Sequence, residues 1–263
     1  MIRFCVLASG SRGNATYVEA GGLRLLIDAG LRCRTLAQRM ALLGLQPEAL
    51  DGILVTHEHS DHVQGLDAFA AKYDLPVYAN EGTAAVVERQ CRSLGRPVPD
   101  FILFQSQVPF ALGDAVVTPV PVSHDTAEPV AYTLEDGDGR FGYFTDLGYL
   151  SQGVAEALRG CTAAVLESNH DLYMLEHSDR SYLLKQRIRG ASGHLSNDQA
   201  CEAIELCRPE ALRTLVLAHL SQECNTPEIA AERMGETLRR IGRRDVAERL
   251  AIAEQDRPLP FMS

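Results

Sequence analysis

The stretch Ile53–Gly65, ILVTHEHSDHVQG, places three histidines and two acids within six positions directly behind an apolar run. The chain has only eight histidines in 263 residues, so a loop that takes three of them calls for a chemical reason. The apolar run reads as a buried strand. While the backbone stays extended, His57 and His59 point the same way, because strand side chains alternate in direction. Asp61 and His62 follow as the chain turns toward a helix expected from Gly65, and so they project elsewhere. One loop can therefore offer His57 and His59 to one cation and Asp61 with His62 to a second. Imidazole and carboxylate donors suit zinc, and also manganese or iron. The competing reading, a histidine-rich polar surface loop, fits poorly with so compact a cluster behind a buried strand.

Each cation needs three or four donors, so others must come from elsewhere in the chain. PVPVSHD places His124 at the end of another apolar strand, FGYFTDLG ends the same way on Asp146, and LVLAHLS on His219. Singly, each would be an ordinary hydrogen-bonded strand-end residue. Together they supply two more imidazoles and a carboxylate at strand ends. LLIDAG sets Asp28 in the same position, where an anion can orient a metal-bound imidazole.

Around these sites the chain alternates strand and helix patterns. RFCVLAS, ATYVEA and LRLLIDAG read as a three-strand meander joined by GSRGN and GG. Helical spacing follows at Arg34–Leu45, in GLDAFAAKYD and in GTAAVVERQCRSLG. PVAYTLEDGDGRFGYFTDLG reads as a hairpin turning at Asp136–Gly139. In the second half, strands AAVLES and TLVLAHLS alternate with helices at Gly153–Arg159, Tyr182–Ile188 and Asn197–Cys207. A further helix opens at NTPE, with Thr226 as cap and Pro227 in its first position. LAIAEQ is a candidate closing strand. No repeat or low-complexity linker interrupts the pattern, so one α/β domain over residues 1–263 is expected. Two halves that each bring strands and then helices suggest two sheets packed face to face with helices outside.

The HxHxDH loop with downstream His, Asp and His resembles the metallo-β-lactamase superfamily, whose fold is an αβ/βα sandwich of four layers. LASGSRGN, LVTHEHSDH, ESNHD, GHLSN and AHLSQECN together resemble its YycJ/WalJ nuclease branch, a relative of ribonuclease Z, ribonuclease J and the PhnP phosphodiesterases. The pattern departs from that branch in lacking a proline after Tyr182 and in having Cys224 where asparagine is expected; neither position is a ligand. The resemblance implies one metal on His57, His59 and His124, another on Asp61, His62 and His219, and Asp146 bridging them. It implies two divalent ions per chain, zinc or manganese, and a hydroxide shared between them as the attacking group. Histidine at position 59, where diiron redox members carry glutamate, points to hydrolysis.

GASGHLSNDQACEAIELC narrows the substrate. Ser196 and Gln199 form a capping-box signature, which sets His194 just ahead of a helix N-terminus. Such a place attracts anions. His194 can contact a phosphate oxygen or protonate a leaving oxygen, as the resemblance to ribonuclease Z implies; the plainer reading is a histidine that helps to cap the helix. Asp61 and Asp146 are the expected hydroxide-orienting residues. Asn14 in SGSRGN, Asn169 in ESNHD and Ser196 are candidate substrate contacts, His170 also faces the expected cleft, and His177 reads as a solvated loop residue. Arg180, Lys185, Arg187 and Arg189 are the best local phosphate track. Arginine outnumbers lysine 23 to 2, which accounts for part of any such cluster.

A net charge of −10 argues against a non-specific nucleic-acid surface, though not against a phosphodiester at a metal centre. No run of about 18 apolar residues is present, so no membrane helix is expected. The N-terminal segment lacks a secretory pattern, and a cytoplasmic protein is expected. The seven cysteines are scattered without a CxxC pair and are expected to be buried hydrophobes. The leading expectation is a binuclear metal-dependent phosphodiesterase. Its resemblance implies a 5′-to-3′ exonuclease on DNA, with RNA as a secondary substrate; a homodimer is compatible with it. The alternative is a small-molecule hydrolase: a cyclic phosphodiesterase, thioesterase or lactonase. A non-catalytic metal-binding protein would predict a defective ligand set, and this one is complete.

Overall fold

The computed structural model describes residues 2–263. The expected meander is present as β1 (Arg3–Ala8), β2 (Ala15–Ala20) and β3 (Leu23–Ile27), paired antiparallel. The chain then changes habit. Helix α1 (Cys33–Leu42) crosses over to β4 (Gly52–Leu54), which lies parallel to β3. After the histidine loop come α2 (Ser60–Val63) and α3 (Leu66–Tyr73), β5 (Val77–Asn80), α4 (Glu81–Ser93) and β6 (Phe101–Phe104). These complete a six-stranded sheet in sequential order. Helix starts before Gly65, because the backbone turns at Ser60 and carries Asp61 and His62 on that short first turn.

The second sheet mirrors this logic. A hairpin-linked series, β7 (Phe110–Leu112), β8 (Ala115–Pro121), β9 (Val130–Asp136) and β10 (Gly139–Phe144), is antiparallel throughout. Helix α5 (Gln152–Arg159) then leads to β11 (Ala163–Glu167). Next come α6 (Leu172–His177), α7 (Tyr182–Arg189) and α8 (Asn197–Cys207), then β12 (Thr214–Ala218). Helices α9 (Pro227–Arg240) and α10 (Arg244–Ala247) precede β13 (Ala251–Ile252), and β10 to β13 are mutually parallel. Five edge and linking elements, β5, β6, β7, α6 and α10, were not marked by the sequence pattern. Their runs are short, and Ile102 and Leu103 of β6 are exposed.

Strand alternation builds the layers. Phe4, Val6, Leu25 and Ile27 face inward to meet Val117, Tyr132, Phe141, Tyr143 and Val216 of the other sheet in a shared apolar layer. Cys5, Leu7 and Leu26 face outward and pack under α1, α3 and α4 with Leu36, Met40, Phe69 and Val87. Phe144, Leu166, Leu215 and Leu217 do the same under α5, α8 and α9 with Leu158, Ile204 and Met234. The result is the expected αβ/βα sandwich of two facing mixed sheets with helices outside. Five of the seven cysteines are buried and two are half-buried.

Two devices tie the sandwich to the histidine loop. Tyr132, fully buried on β9, donates its hydroxyl hydrogen to the Val55 carbonyl at the root of the loop. The C-terminal tail runs back along the free edge of β1, where Phe4 N–H meets Met262 O at 2.9 Å and Leu259 N–H meets Val6 O at 2.9 Å. On the way Gln255 grips the first turn: its Oε1 accepts from Arg12 N–H at 2.8 Å and its Nε2 donates to Gly13 O at 2.9 Å.

Tyr132→Phe removes one buried donor from the Val55 carbonyl while leaving the packing intact. It is expected to lower unfolding free energy by about 1 kcal/mol, measured by chemical denaturation of the metal-free protein.

Candidate metal centre

The site lies where strands of both sheets end. His57, Asp146, Glu167 and His219 follow or close β4, β10, β11 and β12, and His124 lies three residues beyond β8. Asp28, Asp146 and His219 each adopt a left-handed backbone, with φ of 61°, 59° and 57°. That conformation turns the side chain off the strand line and into the space between the sheets' ends. It is costly for a residue other than glycine, and neighbours hold it in place. His219 N–H donates to Ser9 Oγ at 2.7 Å, and Asp28 N–H to Leu54 O at 2.9 Å.

Four imidazoles are fixed through Nδ1. His62 Nδ1 donates to Asp28 at 2.7 Å, His124 Nδ1 to Gly193 O at 3.2 Å, and His219 Nδ1 to Glu167 at 3.0 Å. His57 Nδ1 meets Thr56 Oγ1 at 3.0 Å. Each ring therefore turns Nε2 toward a common centre. There, His57 Nε2, His219 Nε2 and Asp146 Oδ2 are buried without a hydrogen-bond partner among the described residues. Buried polar atoms left without partners are costly and call for an occupant.

Donor atoms gather into overlapping groups: His57, His59 and His124; His57, His62 and Asp146; and Asp61, His62 and His219. His59 Nδ1 and His124 Nε2 stand 3.2 Å apart, close to the roughly 3.3 Å that two nitrogens on one tetrahedral zinc would have. Nitrogen and carboxylate donors, buried and unsatisfied, fit divalent cations such as zinc. Asp146 faces both sides, with Oδ2 3.2 Å from His62 Nε2 and Oδ1 3.4 Å from His219 Nδ1. Asp28 is wholly buried and accepts from Thr56 as well as His62.

The charges here are strongly coupled. Burial alone would raise the Asp61 carboxyl, but the His62 charge and the His219 and His62 imidazoles, each 3.5 Å from Asp61 Oδ2, outweigh it and hold the group far below the usual range. Asp146 is likewise held down against burial by His219 and His62. Burial opposes a charge on His219, yet Asp146, Asp61 and Glu167 push it up to about 10. His57, by contrast, is pushed well down by burial and by the neighbouring His62.

Glu167 is the functional residue that the sequence reading missed. It is fully buried at the end of β11. Its Oε1 accepts from His194 Nδ1 at 2.8 Å and from His219 Nδ1 at 3.0 Å, and its Oε2 from the amides of Leu147 and Leu195 at 2.8 and 3.1 Å. One carboxylate thus fixes a candidate ligand and the candidate acid together. The capping box of Ser196 and Gln199 forms as expected at the start of α8. His194 lies just ahead of it with its ring between His124 and His219, centroids 5.2 Å from each.

A cavity of about 290 Å3 opens over the centre, and His59, Asp61, His124, Asp146, Asn169, His194 and His219 line it. Two expected substrate contacts do not reach it. Asn14 is wholly buried; its Oδ1 accepts from Gly10 N–H, and its Nδ2 faces Asp61 Oδ2 at 3.3 Å and His62 Nε2 at 3.1 Å. Its place is beneath the ligands rather than against substrate. Ser196 is buried too, its hydroxyl committed to Gln199 N–H. Asn169 does face the cavity, with Nδ2 donating to His219 O at 2.8 Å. His170 is buried away from it. His177 is not a loop residue: it ends α6 and stacks on Tyr173 with ring centroids 4.0 Å apart.

Fold and centre together define a metal-dependent hydrolase class. The family described as beta-lactamase superfamily domain matches residues 23–220, and the chain belongs to it. More particularly, the chain is 37% identical over 259 residues to Exodeoxyribonuclease YycJ of Bacillus anthracis, spanning 98% of this chain and 97% of that one. It is 36% identical over 229 residues to Exodeoxyribonuclease WalJ of Streptococcus pneumoniae, spanning 87% and 85%. The metallo-beta-lactamase fold protein YhfI of Bacillus subtilis superposes with a TM-score of 0.68 over 98% of this chain and 99% of its own, at 17% identity, which attests the fold.

Two outcomes follow from this geometry. Glu167→Gln keeps the shape but removes the charge on which His194 and His219 are anchored; zinc affinity, read by chelator competition, is expected to fall by about 10- to 100-fold. Metal-free protein holds the His219 proton below about pH 10, so a cation must displace it. Apparent zinc affinity is therefore expected to rise with pH across the neutral range and to fall on acidification. Calorimetry in buffers of differing ionisation heat should register proton release on zinc uptake; a buffer-independent heat would contradict the assignment.

Proposed function

We propose that this chain is a cytoplasmic metal-dependent exodeoxyribonuclease that removes nucleotides from a 5′ end, with residues 1–263 acting as one unit. The observation that carries this reading is the meeting of a complete histidine–aspartate donor set with His194 at the wall of one small cavity. The near full-length likeness to two exodeoxyribonucleases supports DNA over RNA. His57, His59 and His124 would hold one divalent cation and Asp61, His62 and His219 a second, with Asp146 between; zinc and manganese both suit these donors. When bound, such a pair supplies an activated water and neutralises charge at phosphorus.

The protein's own groups do the rest. Asp61 and Asp146 are held as carboxylates, so they accept hydrogen bonds from water in the cavity and aim it. His194 donates Nδ1–H to Glu167; with a second proton on the ring, Nε2–H would meet a phosphate oxygen or pass that proton to the departing one, leaving the neutral imidazole. The apolar shell beneath the donors excludes bulk water and strengthens these interactions.

End-labelled DNA and RNA, incubated with metal-loaded protein, test the reading. DNA shortened from its 5′ end is expected, with activity abolished in His59→Ala. His194→Ala should lower kcat by about 10²- to 10⁴-fold while retaining its metals. Undiminished cleavage by His59→Ala would end the proposal. One observation favours a second reading, a small-molecule phosphodiesterase: the cavity of about 290 Å3 is at the small end of ligand sites, which run from roughly 300 to 1,000 Å3. A panel of bis(p-nitrophenyl) phosphate, thioesters and lactones separates the two.

A further inference from the structure

The four cations around α7 do not form a uniform track. Lys185 Nζ donates to Glu176 O at 2.6 Å, and Arg189 pairs with the Glu176 carboxylate, so both turn toward α6. Arg180 reaches the cavity, but its Nε is engaged by Glu223 at 3.0 Å and an Nη approaches Ser221 Oγ at 3.5 Å. Arg187 is different. It lines the cavity on the same wall as Leu184 and Ile188, and its side chain is 60% exposed. Its Nε donates to Asp125 Oδ2 at 2.7 Å, and neither Nη has a hydrogen-bond partner among the described residues.

Asp125 itself lies beside the metal centre. It directly follows His124, and its Oδ1 lies 3.7 Å from Nε2 of both His59 and His124. The carboxylate therefore lies between the candidate ligands and the guanidinium, hydrogen-bonded to the latter. It fixes one edge of a planar fork and leaves the other edge open beside the centre. A fork held in this way matches two oxygens of one phosphate, whereas a lysine ammonium could not serve Asp125 and a phosphate in the same geometry.

We propose that Arg187 is the clamp for a substrate phosphate, keeping Nε–H on Asp125 and giving both Nη groups to non-bridging oxygens, with Asp125 as its positioning residue. This rests on the phosphodiesterase reading of the site and names the side chain that recognises the phosphate there.

The test uses intact, metal-loaded protein and the variants Arg187→Ala, Arg187→Lys and Asp125→Asn. With DNA, Arg187→Ala is expected to raise KM about 10- to 100-fold, with kcat changed far less and the metal content of wild type. The slope of log KM against log salt should fall by about one. Arg187→Lys should restore little of this, and Asp125→Asn should show a smaller KM effect of the same kind. Wild-type KM or salt slope in Arg187→Ala, or loss of metal from it, overturns the proposal. If wild-type protein leaves DNA intact, the nuclease reading falls but Arg187 is still tested, because inorganic phosphate then serves as the probe. Tenfold weaker phosphate binding by Arg187→Ala upholds the clamp, and unchanged binding overturns it.

Discussion

Hydrogen bonds at Nδ1 are the constraint on which the centre depends. A neutral imidazole can present either nitrogen, and a ring free to turn would scatter the donors. Asp28, Thr56, Gly193 O and Glu167 each fix one ring, so four Nε2 atoms converge on one small volume. Two of these partners are wholly buried carboxylates, which also offset the positive charge that gathers there. A divalent cation would take the place of the protons on these rings and give the buried, unpartnered atoms of His57, His219 and Asp146 a common partner.

Each sheet contributes its share by the same topological habit. An antiparallel series gives way to parallel strands joined by helices, and the parallel strands all end on one side. Functional groups at those ends gather in the crevice where open α/β sheets place their sites. The apolar layer between the sheets, from Phe4 and Ile27 to Tyr143 and Val216, fixes the distance across which His57 and Asp61 of one sheet meet Asp146 and His219 of the other. Packing thus sets the geometry that a few hydrogen bonds then refine.

Much of this was legible in one dimension because strand ends leave a mark. Apolar runs closing on His57, His124, Asp146, His219 and Asp28 share a pattern, and periodicity located most helices. Glu167 has the same mark at the end of AAVLE. Asn14 and Ser196 were misplaced for a physical reason. Small polar residues in glycine-containing turns look solvent-facing in sequence, but here the turns are folded under the site and their side chains are spent on Asp61, His62 and Gln199 N–H. The arginine cluster was visible, yet which cations stay unspent depends on Glu176, Glu223 and Asp125, residues brought close only by the fold.

The grip of Gln255 on the first turn reaches the metal centre at second hand. Ser9 positions the backbone of His219, Asn14 braces Asp61, and both belong to a turn that is pinned by Glu254 and Gln255 at the far end of the chain. A change at residues 254–255 would therefore be felt at His219 and Asp61, although neither Glu254 nor Gln255 offers a donor atom to the centre.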